Sequence, residues 1–176
     1  MSDKPYLPFA RPDIDEAAIA DVVAVLRSGW ITSGPKVAAF EAALSALAGG
    51  RPTRVLSSAT GAIELALRIC GIGPGDEVIT AAMTFFAAPN MIVRVGATPV
   101  FVDVVPGTRN IDLDAVAARI GPRTKAIMPT HFAGLPCDMD ALYALAKEHK
   151  LRVIEDAALA IGSSWKGKTI GSFGDI

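Results

Sequence analysis

The rhythm of apolar residues along this chain changes near residue 54. Before it, Ile14, Ala18, Val22 and Leu26 recur at helical spacing, and so do Val37, Phe40, Leu44 and Leu47. Two amphipathic helices are predicted. The first opens on a capping box, with Asp13 as an acidic N-cap and Glu16 three residues on, and stops at Gly29. The second follows Pro35, and the loop GWITSGP joins the two. Beyond residue 54, short apolar runs alternate with helical segments. Strands are predicted at 54–56, 77–80, 100–102, 125–128 and 152–154, and helices at 62–70, 86–95, 113–120 and 139–150. This alternation predicts βαβ units, hence an α/β fold of three layers: a mostly parallel sheet with helices on both faces. Its crossovers are expected to be right-handed. Lys166-Gly167-Lys168 reads as the tight turn of a late hairpin.

Composition narrows the picture. The 176 residues allow one ordinary domain or part of a larger one. At 51% hydrophobic and 20% charged, the chain can bury a sizeable core. Its 17 basic and 18 acidic residues leave a net charge of -1 without a basic block, which argues against a nucleic-acid partner. The most apolar stretch, 91–105, is too short for a membrane span and is broken by Arg94, Gly96, Pro99 and Asp103. The opening Met-Ser-Asp-Lys-Pro lacks the apolar run of a signal peptide. Cys70 and Cys137 have no metal-ligand spacing and read as reduced thiols of a cytoplasmic protein.

In parallel sheets of this kind, ligands bind beyond the carboxyl ends of the strands. That rule selects residues 57–61, Thr84, Phe85, Asp103, His131 and Asp156. The run Ser57-Ser58-Ala59-Thr60-Gly61 stands between a strand and a helix. Its small residues and free N–H groups suit a phosphate, and equally an ordinary N-cap. Asp156 ends an apolar strand and precedes Ala157 and Ala158. An acid there can pair with a protonated pyridine nitrogen, ligate magnesium or cap a helix. Phe85 can stack on a flat ring, whereas Phe86 reads as core packing. His131 reads as a satisfied structural histidine. Asp138 and Asp140 read as helix N-terminal residues, and Lys147, Lys150, Lys166 and Lys168 as solvated. Gly71-Ile72-Gly73-Pro74-Gly75 is a turn and lacks the dinucleotide fingerprint, which tells against a nicotinamide-dependent enzyme.

Ten stretches, in order, carry a resemblance: LPFARP, SGWITSGPK, SSATGAIELAL, GDEVIT, TFFA, GATPVFVDV, RTKAIMPTHFAG, DMDAL, VIEDAA and KGKTIGSFGD. Together they resemble the DegT/StrS family of nucleotide-sugar aminotransferases, which are pyridoxal 5′-phosphate (PLP) enzymes of fold type I. The first two runs are most like the branch that makes UDP-4-amino-4-deoxy-L-arabinose, a sugar that decorates lipid A. The resemblance implies that Ala59 and Thr60 bind the PLP phosphate, that Phe85 stacks on the pyridine ring and that Asp156 pairs with its nitrogen. It places the loop holding Trp30 and Thr32 near substrate. It implies glutamate as amino donor, a UDP-4-keto-pentose type of nucleotide-linked keto-sugar as acceptor, and a homodimer.

On that resemblance, residues 1–50 form an N-terminal helical arm with a substrate-side loop. Residues 51–176 form an incomplete PLP-binding large domain, and a C-terminal small domain is absent. The family's cofactor-bearing lysine falls beyond GSFGD and so beyond Ile176. No catalytic residue is therefore assigned, and the isolated chain is expected to be inactive and prone to aggregate. Leu159 stands where the family usually carries Gln or His. Two alternatives remain: a sugar dehydratase of the same family, with histidine at the lysine position, or a non-catalytic truncated remnant.

Overall fold

The computed structural model describes residues 6–8, 10–174 and 176. Phe9 of LPFARP, Asp175 of KGKTIGSFGD and the opening five residues lie outside the described residues. The chain divides into two compact units, one ending at Phe40 and one running from Glu41 to Ile176.

The first unit holds α1 (Glu16–Ser28) and the opening of α2 (Pro35–Leu47). The N-cap of α1 is Asp15, not the expected Asp13. Its carboxylate accepts the Ala18 N–H at 2.7 Å, which satisfies one of the orphan donors of the first turn. Glu16 then lies inside the first turn, where its charge complements the helix dipole. Gly29, at φ 73°, ends the helix in the left-handed conformation, as its position in the sequence suggested. In the following loop the Trp30 indole N–H donates to the Ser33 carbonyl at 2.9 Å and lies over Gly34.

The second unit contains α3 (Ala59–Ile69), β1 (Glu77–Ala81), α4 (Ala87–Arg94), β2 (Thr98–Val102), α5 (Leu113–Ala117), β3 (Thr124–Met128), α6 (Met139–His149) and β4 (Arg152–Val153). The four strands are all parallel, in the order β2-β1-β3-β4. Successive strand residues serve opposite faces. Ile79, Ala81, Ile127 and Val153 pack with Val116 of α5 and Leu142 of α6. Val78, Ala126, Met128 and Ile154 pack with Leu67 of α3 and Ile92 of α4. The result is the expected three-layer α/β arrangement. A small hairpin, β5 (Ser164–Trp165) and β6 (Lys168–Thr169), turns on Lys166 and Gly167 at φ 49° and 82°. Both central residues are left-handed, as a type I′ turn requires.

Residues 54–56 are not a strand, contrary to their apolar pattern. Among the described residues no strand lies beside them, and the Val55 N–H is taken by the Glu41 carboxylate at 3.0 Å. β propensity is realised only where a ladder partner exists. The other predicted elements are present with ends shifted by a few residues.

The order of the strands locates the site. From β1 the chain crosses by α4, on one face, to β2 at the edge. It returns across β1 by α5, on the other face, to β3, and continues by α6 to β4. The loops leaving β1 and β3 therefore diverge, and a crevice opens between them at the carboxyl ends of the strands.

Candidate functional site

That crevice is a cleft of about 810 Å³, and it gathers residues from four separate stretches of chain. Ala59 and Thr60 come from the start of α3, Phe85 from the loop after β1, Thr130 from the loop after β3, and Asp156 from beyond β4. Ile63 and Ala87 give it an apolar wall.

The start of α3 is built by Ser58, whose hydroxyl oxygen accepts the Gly61 N–H at 3.1 Å. The Ser58 carbonyl accepts the Ala62 N–H at 3.1 Å. The N–H groups of Ala59 and Thr60 precede any intrahelical acceptor. They stand at the positive end of the helix dipole, beside the cleft that both residues line. Ser58 is thus the cap, as one reading of the 57–61 run expects, while Ala59 and Thr60 beside it line the cleft.

Across the cleft, Asp156 Oδ2 accepts the Thr130 hydroxyl at 3.4 Å and Oδ1 accepts the Ala158 N–H at 3.3 Å. The Thr130 Oγ1 lies 2.8 Å from the Thr84 Oγ1. A hydroxyl has one proton, so Thr84 donates to Thr130 while Thr130 donates to the carboxylate. Thr130 was not singled out from the sequence. Its available signal was its place two residues beyond β3, level with Asp156, to which it is bridged.

Phe85 lines the cleft and is 62% exposed, its ring 4.3 Å from that of Phe86. Phe86 is 64% exposed, so the expectation of core packing is corrected. α4 starts one residue later, and Ala88 and Ile92 take the inward positions. Leu159 lines the cleft and is 73% exposed. Asp103 does not join the site; its carboxylate accepts the adjoining Val104 N–H at 2.8 Å. Trp30 and Thr32 belong to the first unit, where both are exposed. His131 is buried and fully bonded, as a structural histidine should be.

A second groove, of about 520 Å³, is walled by Leu44, Leu56, Leu65 and Ile69. Its polar lining is Arg51, Thr53, Arg54 and Glu155, and among the described residues no helix N-terminus lines it. The polar convergence of the first cleft is the stronger mark of a ligand site.

A mostly parallel sheet with helices on both faces is the arrangement of the fold-type-I PLP-dependent transferases. The model of the DegT/DnrJ/EryC1/StrS aminotransferase family matches residues 12–176, and the chain belongs to that family. It is 47% identical over 170 residues to the spore coat polysaccharide biosynthesis protein SpsC of Bacillus subtilis (strain 168), covering 97% of this chain and 44% of SpsC. Among solved structures it resembles Spr1654 from Streptococcus pneumoniae, described as a sugar aminotransferase, in its PMP form. The TM-score is 0.93 at 42% identity, over 96% of this chain and 46% of that one. It also resembles 3-amino-5-hydroxybenzoic acid synthase, with TM-score 0.89 and 42% identity over 95% of this chain and 44% of the other. The chain spans about half the length, or less, of these relatives.

Proposed function

We propose that this chain supplies the cofactor-binding half of a PLP-dependent aminotransferase that aminates a nucleotide-linked keto-sugar. The observation that carries the reading is the meeting of Thr60, Phe85 and Asp156 in one cleft, from positions about a hundred residues apart in sequence. The cleft suits the cofactor in both size and chemistry. Ala59 and Thr60 offer N–H groups and a hydroxyl at a helix N-terminus for the phosphate. Phe85 offers an aromatic face for the ring. Asp156 offers a carboxylate to hold a proton on the ring nitrogen, and Thr130 and Ala158 fix that carboxylate by donating to it. When bound, PLP supplies an electron-accepting ring through which an amino group is carried from donor to acceptor. The chain's part is to seat, orient and protonate that ring.

Glutamate is the proposed donor. The acceptor is proposed to be a UDP-4-keto-pentose, a reading supported by the LPFARP and SGWITSGPK runs, with a product destined for lipid A or another surface polysaccharide. The Trp30–Thr32 loop is proposed to meet the sugar. A cytoplasmic homodimer is proposed, supported by the exposed apolar rim of Met83, Phe85, Phe86 and Leu159 around the cleft.

The test uses the complete protein with PLP, glutamate and a panel of nucleotide-linked keto-sugars, with products read by mass spectrometry. Amination of the UDP-4-keto-pentose is expected. Asp156→Ala should abolish turnover while far-ultraviolet circular dichroism stays unchanged, and full activity of that variant would sink the assignment. Amination of a keto-hexose alone would replace the pentose and leave the chemistry standing.

A further inference from the structure

In the wall of the cleft begins a second polar group that the proposed chemistry does not use. His131 is 1% exposed. Its Nδ1 accepts the Cys137 N–H at 3.1 Å, so that nitrogen carries no proton. The ring proton is therefore on Nε2, which donates to Glu155 Oε2 at 3.0 Å. The other oxygen of Glu155 accepts the Tyr143 hydroxyl of α6 at 2.5 Å. Adjacent residues of an extended strand point to opposite sides. Glu155 thus turns away from the cleft while Asp156 turns into it.

His131 grips both of these residues. Its ring holds the Glu155 side chain, and its backbone N–H donates to the Asp156 carbonyl at 3.0 Å. This matters because β4 has only two ladder residues, Arg152 and Val153. Past them, the backbone bonds to β3 and its loop are Ile154 N–H to Ile127 at 3.1 Å and Asp156 N–H to Pro129 at 2.9 Å. A slip of one residue in so short a pairing would exchange the two neighbouring acids and turn Glu155 into the cleft. Bonds that only a carboxylate on the far side can satisfy oppose that slip.

We propose that His131, with Tyr143 behind it, is a positioning residue for Asp156. It pins the strand end through Glu155, so that the Asp156 carboxylate, and not its neighbour, faces the cofactor ring. The inference rests on the reading of Asp156 as partner of the ring nitrogen.

The experiment loads the complete protein with ¹⁵N-labelled PLP and reads affinity together with the ring-nitrogen chemical shift, which reports protonation. In the native protein the nitrogen should be protonated. His131→Ala should move the shift towards the unprotonated ring and weaken PLP binding about tenfold. His131→Gln should restore most of both, because its amide N–H can donate to Glu155 where Nε2–H did. Both variants lose the bond to the Cys137 N–H, and thermal melts should place His131→Ala the lower, because it also leaves the buried Glu155 carboxylate without this donor. Tyr143→Phe removes the second donor without touching the cleft, and should move the shift in the same direction by less. A native shift and affinity in His131→Ala would overturn the inference. Where His131→Ala does not fold, a native shift in Tyr143→Phe would overturn it equally. A native protein that binds no PLP, or holds it unprotonated, would instead sink the cofactor reading itself.

Discussion

The hydroxyls of Thr84 and Thr130 lie 2.8 Å apart, and the second of them reaches the Asp156 carboxylate at 3.4 Å. Residues that follow two neighbouring strands thus converge on an acid beyond a third. Thr130→Val keeps the shape and removes the link. It should lower stability by about 1 kcal/mol, the usual net worth of such a bond, as read from denaturant midpoints. PLP affinity should fall several-fold, because the carboxylate loses a donor that orients it. Unchanged affinity would mean that the Ala158 N–H alone suffices.

Much of this arrangement was legible in the sequence. β1 and β3 are short apolar runs that face both ways into a core, so hydrophobicity alone located them. Ala59, Thr60, Phe85 and Asp156 could be chosen because parallel sheets place ligands at the carboxyl ends of their strands. The misses have physical causes. Residues 54–56 carry strand-like composition, but pairing depends on a neighbour that composition cannot report. Asp13 and Asp15 are equally good caps by type, and only the backbone decides which meets an orphan N–H. Thr130 was not singled out because its role exists only once β1, β3 and β4 lie side by side.

Gly34 carries the Trp30 indole. A Cβ at that position would stand 2.6 Å from the indole nitrogen. Gly34→Ala should therefore push the ring aside and break its bond to the Ser33 carbonyl, at a cost of about 1 kcal/mol. Trp30 is one of two tryptophans, so the displacement should appear as a change in intrinsic fluorescence. If the loop meets the sugar as proposed, the KM for the keto-sugar should rise more than kcat falls. A native emission spectrum would show that the indole is not held over the glycine.

Glu64 ties α3 to α4. Its carboxylate accepts from Arg68 at 2.8 Å and from Arg94 at 2.8 Å, and these two bonds hold it below the usual carboxylate range. A depressed folded value means that the contribution is present above the unfolded value of 4.5 and is lost as pH falls through the folded one. Glu64 is half-buried and both arginines are exposed, so salt should screen part of the effect. Glu64→Gln should make stability less steep in acid at low ionic strength. An identical acid slope in both proteins would show that the triad is energetically silent.

Cys137 gives the opposite slope at alkaline pH. Burial is the main cause that pushes its thiol from 9.0 up to about 12. In the unfolded chain the thiol ionises near 9, while the folded protein keeps it protonated. Above that point the unfolded state binds fewer protons, and stability falls as pH rises. The loss should approach about 1.4 kcal/mol per pH unit until the folded value is reached. Other groups titrate in the same range, so the measurement is the difference between native protein and Cys137→Ala, whose alkaline slope should be shallower. The same burial protects the sulfur chemically. The raised thiol keeps its proton at neutral pH, and the side chain is 1% exposed. An alkylating reagent should modify half-buried Cys70 first and reach Cys137 only on unfolding. Peptide mass spectrometry showing equal labelling of both cysteines in native protein would mean that the wall of the cleft behind Thr130, whose carbonyl accepts the Cys137 thiol, opens readily.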